Sequence, residues 1–123
     1  MNLETLHAHL LSMPGAAEDR PFRPDVPVYK VMGKMFAYVS PNQNPPWLTL
    51  KLHPTTGQLA RSTHAAVHPG YHMNKEHWNT IELDGSVPEA EILAWIDEAY
   101  DLVVAGLTRA ARAELRTRIE EDG

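Results

Sequence analysis

Trp47-Leu48-Thr49-Leu50-Lys51-Leu52-His53 is the stretch whose reading decides the fold. Leu48, Leu50 and Leu52 alternate with Trp47, Thr49, Lys51 and His53. Successive side chains of a strand leave on opposite sides, so a period of two marks a strand with one buried face. The chain must therefore build a sheet with a leucine-lined core layer. Its other face carries a Trp and a Lys.

Working outward from that strand gives the rest of the architecture. Upstream, Val26 to Met32 and Lys34 to Ser40 read as a hairpin turning at Gly33, with Pro27 confining the first strand to an edge or a strand start. The register of the first strand is open: either Val28 and Lys30 or Tyr29 and Val31 face outward. In the second, Met35, Ala37 and Val39 read as inward and Lys34, Phe36 and Tyr38 as outward. Downstream, Ala65 to His68 reads as a brief strand and Trp78 to Leu83 as a longer one, with Ile81 and Leu83 inward.

The helical signals lie around this strand region. Leu3, Leu6 and Leu10 recur at helical spacing behind Asn2, a good N-cap, which predicts a helix over 2–12. His7 and His9 read as solvated. Ala16 to Asp25 reads as a loop, and its Asp19 and Asp25 form no fixed catalytic pair. Pro54 to Ser62 reads as a short helix with Leu59 and Ala60 inward. Ser86-Val87-Pro88-Glu89 reads as a capping box for a long helix that buries Ile92, Ile96, Ala99, Val103 and Leu107. Arg109 to Glu120 is a final, weakly amphipathic helix within a 109–123 extension. The prediction is one α+β domain over 1–123, an antiparallel β-sheet with N- and C-terminal helices packed on one face.

Composition narrows the function. There are no cysteines among the 123 residues, which removes disulfides, thiolate catalysis and Cys-based zinc sites. No apolar run reaches bilayer length and the N-terminus lacks a signal-peptide pattern, so the expectation is a cytoplasmic protein with no membrane partner. The net charge of −5 argues against a general duplex-DNA binder. Its distribution is uneven. Residues 88–107 hold Glu89, Glu91, Asp97, Glu98 and Asp101 with no Lys or Arg, whereas residues 26–53 hold Lys30, Lys34 and Lys51 with no acid. The sequence contains no nucleophile elbow and no glycine-rich phosphate loop, and no enzyme or cofactor is expected.

Strand alternation places Trp47, Lys51, Phe36, Tyr38, Lys34, Trp78 and one register of the first strand, with Lys30, on the open face. Rings interleaved with lysines are what base stacking and phosphate contact require. The plainer reading is that aromatics sit on strands for packing and that a second layer or a dimer covers this face; a protein partner is a further alternative.

The densest chemistry lies in Pro69-Gly70-Tyr71-His72-Met73-Asn74-Lys75-Glu76-His77-Trp78-Asn79-Thr80. Lys75 is its candidate anion contact, with His72, Asn74 and His77 as hydrogen-bonding groups and Tyr71 beside them. The competing reading is that Asn74, His77 and Asn79 cap a turn and a strand end. His72 and His77 with Glu76 could also ligate zinc from a loop, although no metal is expected. His64, His68 and His72 are four apart, but Pro69-Gly70 breaks any helix that would align them.

The order and spacing of several segments resemble the MmcQ/YjbR family. They are Leu11-Ser12-Met13-Pro14-Gly15, Glu18-Asp19-Arg20-Pro21-Phe22, Val28-Tyr29-Lys30-Val31, Gly33-Lys34-Met35-Phe36-Ala37, Leu48-Thr49-Leu50-Lys51, the 69–80 stretch and Tyr100-Asp101-Leu102-Val103-Val104. The resemblance implies a frataxin-like (CyaY-like) fold and a DNA-binding, "double wing" role. It carries no catalytic residues. The positions it would transfer are Lys30, Lys34, Lys51, His72, Asn74, Lys75, His77 and Trp78. The combined expectation is a non-enzymatic monomer or weak dimer that binds DNA, single-stranded in preference to duplex. The alternative is a protein-interaction or small-anion-binding module on the same surface.

Overall fold

The computed structural model describes residues 1–70 and 73–122. Helix α1 (Leu3–Ser12) leads into β1 (Ala16–Asp19), β2 (Val28–Val31), β3 (Lys34–Ser40) and β4 (Trp47–Lys51). Then come α2 (Pro54–Thr63), β5 (Val67–Pro69), β6 (Trp78–Glu82), α3 (Glu89–Ala105) and α4 (Arg109–Asp122). The six strands form one antiparallel sheet in the order β1-β2-β3-β4-β6-β5. Among the described residues, no helix is long and apolar enough to cross a membrane.

The leucine face settles as its alternation requires. Leu48, Leu50 and Leu52 are fully buried in a core with Ile81, Leu6 and Leu10 of α1, and Ile92, Ile96, Ala99 and Val103 of α3. Each such aliphatic side chain contributes about 1.5–3 kcal/mol on burial. The predicted α3 stripe is thus the sheet's main partner. Asn2 caps α1, its Oδ1 accepting from the Thr5 amide at 2.7 Å. Met32 and Gly33, at φ 50° and 79°, form the two-residue β2–β3 turn; two positive φ values match the right-handed twist of the strands.

Four local expectations are corrected. The 16–19 segment is a strand, not a loop: it pairs with β2 from Ala16↔Val31 to Asp19↔Val28. Ala-Ala-Glu-Asp has poor strand propensity, and pairing to a ready edge overrides it. β4 ends at Lys51 rather than His53, because His53 turns to cap α2 and its Nδ1 accepts from the Thr55 amide at 3.2 Å. Leu59 is 66% exposed, while Ala60 beside it is buried. The capping box does not form. Ser86 donates its hydroxyl and amide to Asp84, at 2.6 and 2.9 Å, and Pro88 is the N-cap position of α3, which has no side-chain cap.

The largest correction concerns Phe36. Tyr29 pairs with Ala37 but Lys30 pairs with Met35, so Phe36 is an extra residue in β3. Such a bulge re-aims the side chains on either side of it. Phe36 and Ala37 are both fully buried in the core, and the Phe36 ring meets Tyr100 of α3 edge-on at 5.7 Å. Met35, opposite Lys30, moves outward. The same register resolves β2: Tyr29 and Val31 join the core, while Val28 and Lys30 lie on the outer face.

Candidate binding groove on the outer sheet face

Residues directly opposite in an antiparallel pair share a face. The rows Val28↔Tyr38↔Thr49↔Thr80↔His68, Ser40↔Trp47↔Glu82 and Lys51↔Trp78 therefore make up the outer surface. It is not a flat platform. Val28 and Thr49 are essentially inaccessible and Thr80 is 5% exposed. A cavity of about 650 Å³ lies here, lined by Phe22, Arg23 and Val26 from the β1–β2 connection, by Tyr38, Ser40, Gln43 and Trp47, and by Met73 and Thr80. That volume falls in the range of small-ligand sites. A smaller cavity of about 260 Å³ shares Trp47 and Thr80 with it and reaches His68, Pro69 and Glu82 on the β5 side.

The floor carries one polar pair. The Thr49 and Thr80 hydroxyls lie 3.0 Å apart across β4 and β6. A hydroxyl has a single proton to give, so this bond leaves one O–H of the two available as a donor. The walls are mainly aromatic and apolar, with Arg23, Ser40 and Gln43 as their polar members.

The expected site residues are only partly brought together. Tyr38 and Trp47 line the groove, half-buried. Lys51 lies on the same face opposite Trp78. Lys30 is also on this face, but its Nζ bonds Asp19 Oδ2 at 3.1 Å. That bond, with the Arg20 amide, holds the Asp19 carboxyl below its usual range. Arg23 of the groove wall faces Asp25 at 3.7 Å, and His68 faces Glu82 at 2.9 Å. Lys34 pairs with Val31 at the hairpin end, on the core side by register, so it does not join the outer set. Phe36 is inside the core. Trp78 is on the outer face but buried, backed by Gly70, where an added Cβ would stand 2.8 Å from Trp78 Cβ.

The 69–80 stretch runs from the end of β5 through the β5–β6 connection into the start of β6. Gly70 donates its amide to Trp78 O at 2.7 Å, and Asn74 closes the turn by accepting the Glu76 amide on Oδ1 at 2.9 Å. Asn74 O also accepts the Trp78 and His77 amides, at 2.9 and 3.3 Å. The turn-capping role thus falls to Asn74, and His77 O receives the Leu52 amide. Asn79 lies in β6 and caps the strand end, its Nδ2 donating to His77 O at 3.3 Å. It is fully buried on the core side, where Arg61 of α2 donates to its Oδ1. Lys75 is exposed at the tip. Tyr71 and His72, and with His72 the suggested zinc pair, lie outside the described residues.

A second, more polar cavity of about 500 Å³ lies at the α1 edge of the sheet. His7, Glu18, Arg20, Asp25 and Tyr29 line it. His7 Nδ1 is 2.8 Å from the Tyr29 hydroxyl and 3.6 Å from Glu18 Oε1. Burial, with the Glu18 charge, raises the Tyr29 phenol to about 12. The sequence reading missed this cluster because its members come from α1, β1, the 20–27 segment and β2. Only the pairing of 16–19 as a strand joins them, and no local signal announces that pairing.

A helix-backed antiparallel sheet with a grooved outer face defines a class of small α+β proteins. The chain belongs to the YjbR family, whose model matches residues 11–102. It is 34% identical over 104 residues to the uncharacterised protein YjbR of Escherichia coli K12, covering 85% of this chain and 88% of that one. It is 32% identical over 113 residues to YbdF of Escherichia coli O157:H7, covering 92% and 93%. The crystal structure of Deinococcus radiodurans DR2400, described as a DUF419 domain, superposes with a TM-score of 0.86 at 35% identity, covering 93% of this chain and 87% of that one. A Pseudomonas syringae crystal structure superposes with a TM-score of 0.71 at 26% identity, covering 83% and 98%.

Proposed function

We propose that the chain is a non-enzymatic, cytoplasmic binding module that holds an unstacked base of a nucleic acid in the outer-face groove. Single-stranded DNA is favoured over duplex. The observation that carries this reading is the 650 Å³ cavity with Phe22, Tyr38 and Trp47 among its lining residues, a volume large enough for a nucleobase with aromatic surface around it. Base–aromatic stacking of this kind contributes about 1–3 kcal/mol per base. Lys51 on the same face and Lys75 at the β5–β6 tip are the phosphate contacts. Duplex binding would need a broader basic surface, and Lys30 and Arg23 are engaged with Asp19 and Asp25. The double-wing description implied by the family resemblance is retained only in this narrower form.

The test is fluorescence anisotropy with labelled single-stranded and duplex oligonucleotides at low and near-physiological salt. Wild type should bind single strands in a salt-sensitive manner. Trp47→Ala should weaken binding about ten- to a hundred-fold, the equivalent of one lost stacking contact. No binding at low salt, or binding indifferent to Trp47→Ala, overturns the reading. One observation favours a rival on the same groove: Phe22 is 62% exposed at its wall, as an anchor for an apolar protein partner would be. Salt-insensitive association would mark that alternative.

A further inference from the structure

The polar cavity at the α1 edge is separate from the outer groove and is not used by the function proposed above. We infer that it is a second binding site, for a small zwitterion bearing both a carboxylate and an ammonium group, of the free amino-acid type.

The polar side of the cavity is walled by side chains from four parts of the chain. Leu3 and His7 come from α1, Glu18 from β1, Arg20, Asp25 and Pro27 from the β1–β2 connection, and Tyr29 from β2. Half-exposed ion pairs add little to stability, so the need for a folded chain does not account for this concentration of charge. Charge matching selects the ligand. The pocket holds one guanidinium and two carboxylates. A ligand with only a carboxylate would meet Glu18 and Asp25 as like charges. A ligand with only an ammonium would leave unused the Arg20 N–H groups that neither Pro24 O nor Glu18 takes. Arg20 uses Nη1 on Pro24 O and reaches Glu18 only at 3.5 Å through Nη2, and a guanidinium carries five N–H groups. It retains donors for a carboxylate.

The imidazole adds direction. His7 Nδ1 is taken by the Tyr29 hydroxyl at 2.8 Å. Tyr29 stays a neutral phenol at ordinary pH, since its ionisation is pushed up to about 12. In the tautomer whose Nδ1 accepts from the phenol, Nε2 carries the ring proton and adds a second donor for the carboxylate. Asp25 accepts from Asn42 Nδ2 at 2.6 Å through Oδ2, and its Oδ1 is held only loosely by Arg23 at 3.7 Å. That oxygen is the ammonium acceptor. Leu3, Pro27, Val39 and Pro41 complete the lining and give an aliphatic side chain an apolar surface.

The experiment is isothermal titration of the full chain with aliphatic amino acids at millimolar concentration. Each amino acid is run beside the amine that lacks its carboxylate and the carboxylic acid that lacks its amine. Wild type should bind at least one amino acid, and both single-function analogues should bind about tenfold or more weakly. Arg20→Gln and Asp25→Asn should each lower amino-acid affinity by a similar factor, with circular dichroism showing both variants folded. Trp47→Ala should leave it unchanged. The inference is overturned if no amino acid binds, if either analogue binds as tightly, if both pocket variants retain full affinity, or if Trp47→Ala abolishes binding and so moves the ligand to the outer groove.

Discussion

Replacing Phe36 with alanine tests the bulge in β3, on which the division between core and groove depends. Phe36 is fully buried and its ring packs edge-on against Tyr100 at 5.7 Å. Truncating a buried Phe costs about 3–5 kcal/mol, of which the aromatic contact supplies about 0.5–1.5 kcal/mol. Taking about 4 kcal/mol, and about 4 °C per kcal/mol for a chain of this size, Tm should fall by roughly 15 °C. Met35, by contrast, is turned to the outer face, and Met35→Ala should cost less than about 1 kcal/mol. Urea unfolding of both variants, followed by circular dichroism, gives the two numbers. If Met35→Ala proved the costlier and Phe36→Ala nearly neutral, β3 would follow simple alternation. Phe36 would then belong to the groove, and the bulge would be wrong.

Three further outcomes follow from the buried polar groups and close contacts. Arg61→Met removes the donor to fully buried Asn79 Oδ1 and should destabilise by about 1–3 kcal/mol in urea unfolding, more than most surface substitutions. Gly70→Ala places a Cβ 2.8 Å from Trp78 Cβ and 3.1 Å from its backbone, so about 1–3 kcal/mol should be lost in the same assay; a neutral result would contradict the tight β5–β6 approach. The Tyr29 phenol ionises at about 12 when folded and near 10 when unfolded, so its contribution is complete below pH ~10 and is lost as pH rises towards 12. Wild type should lose stability relative to Tyr29→Phe by about 1 kcal/mol per pH unit above pH ~10, and parallel curves would show Tyr29 to be freely solvated.

The parts of the fold that were legible share a cause. Leu48, Leu50 and Leu52, and the Ile92-to-Val103 stripe, are read by periodicity because each buries one face against a single partner layer. The Asn2 cap and the Gly33 turn are equally local. What escaped depends on distant partners. Ala16–Asp19 becomes a strand only because β2 offers an edge. Phe36 turns inward through an inserted residue that changes the register without changing the hydrophobic pattern. Ser86 had two competing partners in sequence, and it donates to the Asp84 carboxylate two residues back instead of accepting from the helix-end amides.

The candidate site divides along the same line. Tyr38, Trp47 and Lys51 lie on the outer face because alternation holds in β4 and in the second half of β3. The lysine content of 26–53 overstated the basic surface, since Asp19 comes from a strand that the sequence did not announce. Phe22, Arg23 and Met73 belong to connections, and no periodicity could assign them to a wall of the groove. The polar cavity was invisible for the same reason: His7 and Tyr29 are 22 residues apart and meet only in the folded chain.

The most direct measurement is amide chemical-shift mapping of the labelled protein titrated with a short single-stranded oligonucleotide at low salt. The account predicts progressive shifts at Tyr38, Ser40, Trp47 and Thr80 and at the Trp47 indole N–H, with α3 and α4 unaffected. An absence of shifts, or shifts confined to residues away from the outer face, would contradict it.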